Sequence, residues 1–148
     1  AYQSIESELE NYTMGYSTPL FSPTGGLKIS PVDLAKAMMM HMGNGTLNGV
    51  KIIDSTSSAM MQSKVAEKTD EGDSYGFAIR ISDQLLDNHT MIGHTGSAYG
   101  VFTSMFWDKD KKFGFIVMTN GCNERTDNNF MAIHREVDAC LYKNFIQE

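Results

Sequence analysis

The spacing of apolar and polar residues changes near the middle of the chain. In residues 75–81 apolar side chains occupy every second position, which predicts a half-buried β-strand. Three further segments have the length and the β-branched or aromatic content of strands, at 91–97, 101–107 and 113–119. The charged segment 108–112 predicts a hairpin turn between the last two. We therefore expect residues 74–148 to contain an antiparallel sheet.

The end of the chain predicts a helix that packs on this sheet. Thr126 or Asp127 is suited to cap its first turn, since a short polar side chain can accept a hydrogen bond from a free backbone N–H there. Apolar residues then recur at helical spacing, at Phe130, Ile133, Val137, Leu141 and Phe145. A helix with one apolar stripe is expected to cover one face of the sheet.

Residues 1–73 predict mainly helices and loops. A short helix is expected near the start, where Ile5, Leu9 and Tyr12 share a helical face. A clearer helix begins after Ser30, because Ser30 can cap it and Pro31 fits its first position. The apolar stripe of that helix is predicted to be Val32, Ala35, Met38, Met39 and Met42. We interpret its methionines as core residues, and a flexible binding surface is the alternative.

Two smaller elements complete the first half. Asn48 and Gly49 predict a tight hairpin turn. Asp54 or Ser55 can cap a second helix that runs to about residue 62, with an expected interior of Ala59, Met60 and Met61. Residues 1–148 are thus predicted to form one α+β domain, with an N-terminal helical region, an antiparallel sheet and a C-terminal helix.

Charge and hydropathy exclude several classes of partner. The net charge is −6, and no basic run exceeds two residues, so nucleic acid is not an expected partner. No apolar run approaches the roughly 20 residues of a membrane span, and no signal-peptide pattern is present. Cys122 and Cys140 leave two alternatives, a disulfide or two buried thiols, and we favour the thiols.

The histidines do not form a metal-binding pattern. His41, His89, His94 and His134 are scattered, and no HxxxH, HExxH or CxxC pairing occurs. The chain also lacks the glycine-rich motifs that hold nucleotide phosphates. We therefore expect neither a metal ion nor another cofactor.

Glycine and hydroxyl side chains interrupt the strand predicted at 91–97. His94, Thr95, Gly96 and Ser97 offer an imidazole, two hydroxyls and an exposed backbone N–H beside a residue without a side chain. Such groups suit an acyl-transfer site, where a backbone N–H holds an oxyanion and an imidazole binds a carboxylate or passes a proton. The alternative is a strand with a glycine bulge whose histidine meets solvent.

The surrounding sequence resembles the penicillin-recognising serine hydrolases, which comprise class C β-lactamases, DD-peptidases and related esterases. The segment "GHTGSAYGVFTSMFWDKDKKFGFIVMTNG" is similar to the region of that family in which a KTG or HTG triplet lies on an edge strand lining the cleft. Upstream, "SPTGGLKISPVDLAKAMMMHMGNG" is similar to a family helix, and "YGFAIRI" to the strand before the triplet. The resemblance covers about residues 16–145 and implies a partial β-lactamase/transpeptidase-like fold.

The resemblance also implies roles for the motif. His94 would take the cationic or hydrogen-bonding first position, and Thr95 would contact a substrate carboxylate or orient its neighbours. Gly96 would leave room for the substrate, and the backbone N–H of Ser97 would be an oxyanion donor. Further substrate-binding candidates by resemblance are Gly25, Gly26 and Tyr99. Histidine in place of lysine is compatible with peptidase or esterase members.

The family's nucleophile is missing from this sequence. No serine stands three residues before any lysine, so the family's Ser-x-x-Lys motif does not occur. Its Tyr-x-Asn motif matches only at Tyr142, after the triplet, which we regard as coincidence. We expect the C-terminal part of a longer serine acyl hydrolase, inactive alone, with a bacterial, extracytoplasmic parent that acts on peptides, β-lactams or small esters.

Other interpretations stay open at this point. The chain could be a stand-alone homologue that lost catalysis, a non-catalytic module that binds a peptide or cell-wall fragment, or a purely structural domain. Without the family's N-terminal strands, one strand edge and part of the C-terminal helix's apolar stripe would be uncovered. Unpaired edges and bared apolar patches favour association, so we expect a homodimer or larger oligomer.

Overall fold

The computed structural model describes Glu10, Thr13 and residues 27–66, 72–98, 100–110 and 112–147. Within these ranges, helices accompany a five-stranded antiparallel sheet and two small hairpins. This arrangement confirms the predicted α+β class. The helix expected around Ile5, Leu9 and Tyr12 lies outside the described residues.

Helix α1 (Pro31–Met42) begins where the sequence predicts it. The Ser30 hydroxyl accepts a hydrogen bond from the backbone N–H of Asp33 at 3.1 Å, and Pro31 occupies the first turn. Gly43 ends the helix, and its N–H donates to the carbonyl of Met39 at 2.8 Å. Local chemistry at both ends therefore fixes the position of α1 along the chain.

The predicted apolar stripe of α1 is partly wrong. Met38 and Met40 are buried, and Met42 packs against the core partly buried. Val32 is 74% exposed and Met39 is 51% exposed. Two of the three consecutive methionines are thus core residues, as interpreted, but the helix turns Met40 inward and leaves Met39 outside.

A small hairpin follows α1. Strands β1 (Thr46–Leu47) and β2 (Val50–Lys51) are antiparallel and joined by Asn48 and Gly49. The φ angles of these two residues are 49° and 80°, the left-handed values that a tight two-residue hairpin turn requires. The predicted turn is confirmed.

Helix α2 (Ser55–Met61) is capped by Asp54, whose carboxylate accepts from the N–H of Ser57 at 2.9 Å. Its predicted interior is partly wrong: Met61 packs half-buried against the core, but Ala59 and Met60 do not. Ser58 is fully buried, and its hydroxyl accepts a hydrogen bond from Gln62 Nε2 at 3.1 Å, while Ala59 and Met60 are exposed. Ser58 and Gln62 thus form a buried, hydrogen-bonded polar pair where the sequence predicts apolar contacts.

The central sheet has the order β3-β4-β5-β6-β7, and every neighbouring pair is antiparallel. Its strands are β3 (Ser74–Tyr75), β4 (Arg80–Ser82), β5 (Met91–Ala98), β6 (Val101–Asp108) and β7 (Phe113–Thr119). The last three match the predicted strands to within one residue. They are also the longest strands, so length and composition identify them most clearly.

The strand predicted at 75–81 is instead a hairpin. β3 and β4 pair with each other, and residues 76–79 form the turn between them. The N–H of Gly76 donates to the carbonyl of Ile79 at 2.8 Å, and Ala78 has a φ of 58°. The N–H of Phe77 donates to the carbonyl of Met61, at the end of α2, at 3.1 Å. The period-two alternation of residues 75–81 therefore does not reflect one continuous strand.

The C-terminal helix starts later than predicted. Strands β8 (Thr126–Asp127) and β9 (Phe130–Met131) form a hairpin whose turn residues Asn128 and Asn129 have positive φ angles. Helix α3 (Ala132–Phe145) follows directly, and its N-cap makes no side-chain hydrogen bond. The residues expected to cap the helix therefore belong to a strand.

The predicted stripe of α3 is also displaced. His134 and Asp138 are each only 1% exposed, so they occupy the covered side of the helix. Three of the predicted apolar residues are half-buried, namely Ile133, Val137 and Leu141. Phe145 is 77% exposed. The helix thus buries two ionisable groups and leaves its apolar stripe only half covered.

Two apolar clusters lie on the two faces of the sheet. Residues of one cross-strand pair share a face, and the faces alternate along each strand. The first cluster includes Met91, Phe106 and Phe115, with Leu141 of α3 packed on it. The second includes Ile92, Trp107 and Met38 of α1. We call these the α3 face and the α1 face of the sheet.

The remaining predictions concern cysteines and membranes. Cys122 and Cys140 are both free; Cys122 is half-buried and Cys140 is exposed. The disulfide does not form, and the expectation that both thiols are buried is wrong. None of the helices in the described ranges has the length and apolar character needed to cross a membrane.

Candidate active site

The HTG motif lies on a part of β5 that has a free edge. Strand β4 pairs only with residues 91–93 of β5, whereas β6 pairs with the whole of β5. Within the described ranges, residues 94–98 therefore have a strand partner on one side only. Within those ranges, the backbone N–H and C=O groups on the other side have no strand partner, as at any open sheet edge.

The HTG triplet (His94, Thr95 and Gly96) and the following Ser97 divide between the two faces of the sheet. His94 and Gly96 lie on the α1 face, the side of Ile92. Thr95 and Ser97 lie on the α3 face, opposite Ser104 and Phe102 of β6. The His94 side chain is exposed, as is Gly96. One surface therefore combines the imidazole with the space left by the missing side chain.

Two contacts fix the orientation of the His94 ring. Its Nδ1 lies 2.6 Å from the carbonyl oxygen of Thr95. The ring of Tyr75 meets it edge-on, with centroids 6.5 Å apart and planes at 64°. Because a carbonyl oxygen only accepts hydrogen bonds, Nδ1 must carry the proton of this bond.

Gly96 keeps the floor of the site open. A Cβ atom added at this position would lie 2.6 Å from the Oγ1 of Thr103, the residue directly opposite on β6. The Thr103 hydroxyl approaches the Gly96 carbonyl at 3.4 Å. A side chain at position 96 would displace Thr103 and occupy the surface beside His94.

The sequence-based site omits Tyr75 and Thr103. The position of Thr103 could be predicted from the sequence, because only two residues separate Ala98 from Val101. This short connection sets the register of the two strands and places Thr103 opposite Gly96. The position of Tyr75 could not, because this residue reaches His94 only through the unpredicted turn of the β3–β4 hairpin. The other substrate-binding candidates, Gly25, Gly26 and Tyr99, lie outside the described residues.

The opposite face of the sheet carries buried charges that do not belong to this surface. Arg80 and Asp73 form an ion pair in which both side chains are under 10% exposed. The Arg80 guanidinium also lies 3.8 Å from the ring centre of Phe130. Arg80 is opposite Gly93 in the sheet, so it points away from the face of His94. The pair joins the start of β3 to the start of β4.

Helix α3 carries the two ionisable groups Asp138 and His134, whose pKa values are shifted by burial. Burial raises the pKa of Asp138 to about 7. Burial lowers the pKa of His134, and an interaction with the backbone of Phe102 partly opposes this effect. Neither carboxylate oxygen of Asp138 has a hydrogen-bond partner in the part of the chain that the structure describes. In those same ranges, no three His, Cys, Asp or Glu side chains form a group able to hold a metal ion.

Comparison with known proteins gives one positive result. The model of the beta-lactamase family matches residues 3–137. No curated protein and no solved structure matches the chain. The match includes every element from α1 through the first turns of α3, and with them the HTG strand. The chain therefore belongs to the beta-lactamase family and has a serine-hydrolase type of fold.

Proposed function

We propose that this chain forms one wall of the active-site cleft of a serine acyl hydrolase of the β-lactamase, DD-peptidase or esterase type. The observation that carries the proposal is the free edge of residues 94–98, where an exposed imidazole stands beside a glycine that leaves room for a substrate. An acyl group lying along this edge would meet backbone hydrogen-bonding groups and a histidine together. The parent enzyme would act on a peptide, a β-lactam or a small ester outside the cytoplasm.

Each motif residue has a role in this proposal. The N–H of Ser97 stabilises the oxyanion that forms when a serine hydroxyl attacks the substrate carbonyl. Thr95 orients its neighbours through its carbonyl, which accepts from His94. Gly96 gives the substrate access to the strand.

The attacking serine would come from residues outside this sequence. The 148 residues contain no Ser-x-x-Lys, and a serine hydroxyl without an adjacent base is a weak nucleophile. The isolated chain is therefore inactive in the proposal. The family's second motif, Tyr-x-Asn, would also come from the preceding part of the parent.

Two experiments test the proposal. The reading frame upstream of the codon for Ala1 should encode Ser-x-x-Lys and then Tyr-x-Asn in phase. An upstream frame without either motif would exclude a catalytic parent.

The isolated chain should not react with a fluorescent penicillin or an activated phosphonate. Covalent labelling of any of its own serines would refute the assignment of the nucleophile to another segment.

A non-catalytic binding module is the second candidate. It is favoured by an intact, exposed strand edge in a chain without a nucleophile. Titration with a peptide that ends in D-Ala-D-Ala, followed by amide NMR, distinguishes the two. Saturable shifts at residues 94–98 in a chain whose frame begins at Ala1 would favour the module, and an absence of shifts would exclude it.

We also propose that the isolated chain associates with a second copy through β7. This strand has β6 on one side and, within the described ranges, no strand on the other. Its seven residues include no charge and no proline, the features with which proteins usually protect a sheet edge. Light scattering should give a dimer or larger mass, and a monomer mass at every concentration would refute the proposal.

A further inference from the structure

The His94 ring is oriented from two sides, and this orientation has a chemical consequence. The hydrogen bond from Nδ1 to the Thr95 carbonyl places the proton on Nδ1 whenever the ring is neutral. The other ring nitrogen, Nε2, then carries a lone pair. Since the residue is exposed and Gly96 lies on the same face of the strand, that lone pair can accept a hydrogen bond from a molecule bound at this edge.

We infer that His94 presents Nε2 as a hydrogen-bond acceptor, and that Tyr75 is the positioning residue that holds the ring in the Nδ1–H tautomer. The inference rests on the proposed function for its role in a cleft. Tyr75 does not bond the imidazole; its ring meets the imidazole edge-on and restricts its rotation. Without that contact, an exposed imidazole is free to turn away from the Thr95 carbonyl.

The position of Tyr75 is itself well determined. The carbonyl of Tyr75 accepts from the N–H groups of Val65 and Ala66 at 2.9 and 3.1 Å. Its neighbour Gly76 has no room for a side chain, because an added Cβ would lie 2.0 Å from the carbonyl oxygen of Met61. The backbone on both sides of Tyr75 is therefore held, so the tyrosine ring can act as a fixed support for His94.

The charges of the sheet agree with an acceptor role. Arg80 is the only arginine or lysine on strands β3 to β6, and it is buried on the opposite face in an ion pair with Asp73. The strands thus bring no cation to the surface of His94. A lone pair on Nε2 attracts an O–H or N–H group and repels a carboxylate. In the proposed cleft, His94 would accept from a hydroxyl or an N–H group.

The tautomer can be measured directly on the isolated chain. Long-range proton–nitrogen correlation NMR at alkaline pH distinguishes a protonated from an unprotonated ring nitrogen. We expect His94 to be predominantly the Nδ1–H form, although a free imidazole prefers Nε2–H. The signal is assigned by its loss in His94→Gln. A predominant Nε2–H form, or the mixture typical of free histidine, would overturn the inference.

Two variants isolate the part played by Tyr75. Tyr75→Phe should keep the Nδ1–H form, because the contact uses the ring and not the hydroxyl. Tyr75→Ala should change His94 from mostly Nδ1–H to mostly Nε2–H. An unchanged tautomer in Tyr75→Ala would refute the positioning role, and a changed one in Tyr75→Phe would refute the ring contact as its cause.

His89 provides the internal control. Its Nδ1 lies 2.5 Å from a carboxylate oxygen of Asp108, buried and remote from Tyr75 along the sheet. Its spectrum should be the same in both Tyr75 variants, and a change there would mark a global loss of structure. In that event Tyr75→Leu, which keeps a bulky apolar group, is measured instead. The same change of His94 from mostly Nδ1–H to mostly Nε2–H is expected. None of these readouts requires a nucleophile, so they succeed or fail independently of the upstream sequence that tests the hydrolase proposal.

Discussion

Replacing Asp138 with asparagine tests the electrostatic cost of packing α3 against the sheet. Asparagine has nearly the same shape as aspartate but cannot ionise. Asp138 is 1% exposed, and neither of its carboxylate oxygens has a hydrogen-bond partner in the described part of the chain. A buried carboxylate without a partner disfavours the folded state whenever it carries its charge.

The size and the sign of the effect follow from the pKa. Burial raises the pKa of Asp138 from its ordinary 3.8 to about 7, so the folded chain holds this proton more tightly than the unfolded chain. The resulting stability is fully present below about pH 4 and is lost as the pH rises through about 7. At about 1.4 kcal/mol for each tenfold change in proton affinity, the loss reaches roughly 4 kcal/mol.

The expected result is a pH-dependent stabilisation by Asp138→Asn. Urea unfolding at about pH 4 should show little difference from the unmodified chain, and at about pH 8 the variant should be more stable by up to roughly 4 kcal/mol. Helical circular dichroism reports the transition. Protein concentration is kept constant, since association would change the apparent stability.

Glu136→Gln is the matched control on the same helix. Glu136 is 62% exposed and pairs with Arg125, which is 65% exposed, so its removal should change stability by less than about 1 kcal/mol at either pH. If Asp138→Asn destabilises the chain at pH 8, or changes stability equally at both pH values, burial is not what raises the pKa of this carboxyl group.

Three further predictions concern the core and the hairpin beside the site. Burial lowers the pKa of His134, so the stability that this residue contributes is lost as the pH falls below about 6.5. The His134→Gln variant should therefore lose less free energy of unfolding than the unmodified chain between about pH 7.5 and 5. Equal losses in the two proteins would contradict this. Arg80→Met leaves Asp73 buried and unpaired, so urea unfolding should show a loss of about 3–5 kcal/mol, and an unchanged midpoint would refute the importance of the pair. Ala78→Gly relieves a φ of 58° and should raise stability by about 1 kcal/mol in thermal unfolding, and a lower midpoint would exclude strain at this turn.

Local chemistry explains why the sequence predicted several elements well. The start of α1 depends on Ser30 and Pro31, and the first hairpin turn depends on Asn48 and Gly49. These residues act through their own backbone angles and through hydrogen bonds to near neighbours, so distant contacts are not needed. Strands β5 to β7 were predictable for a related reason, since each segment has the length and the β-branched or aromatic content of a strand.

The motif and the family were also accessible from sequence, whereas the side-chain arrangement of the site was not. The order of segments around His94 indicated the family that the comparison shows. The division of the motif between two faces follows from alternation along β5. The contact between Tyr75 and His94 depends on where the β3–β4 hairpin turns, and that turn is held by Met61 of α2.

Tertiary packing decided the position and rotation of the C-terminal helix. The pattern of apolar residues predicted that Ile133, Val137 and Phe145 would face the sheet, and the structure instead buries His134 and Asp138. The hairpin of β8 and β9 sets where α3 starts, and the sheet against which it packs sets which side is covered. A single-helix pattern contains neither constraint. The sequence thus determined that a helix forms at the end of the chain and which family the chain belongs to. Only the fold determined which side chains of that helix are buried.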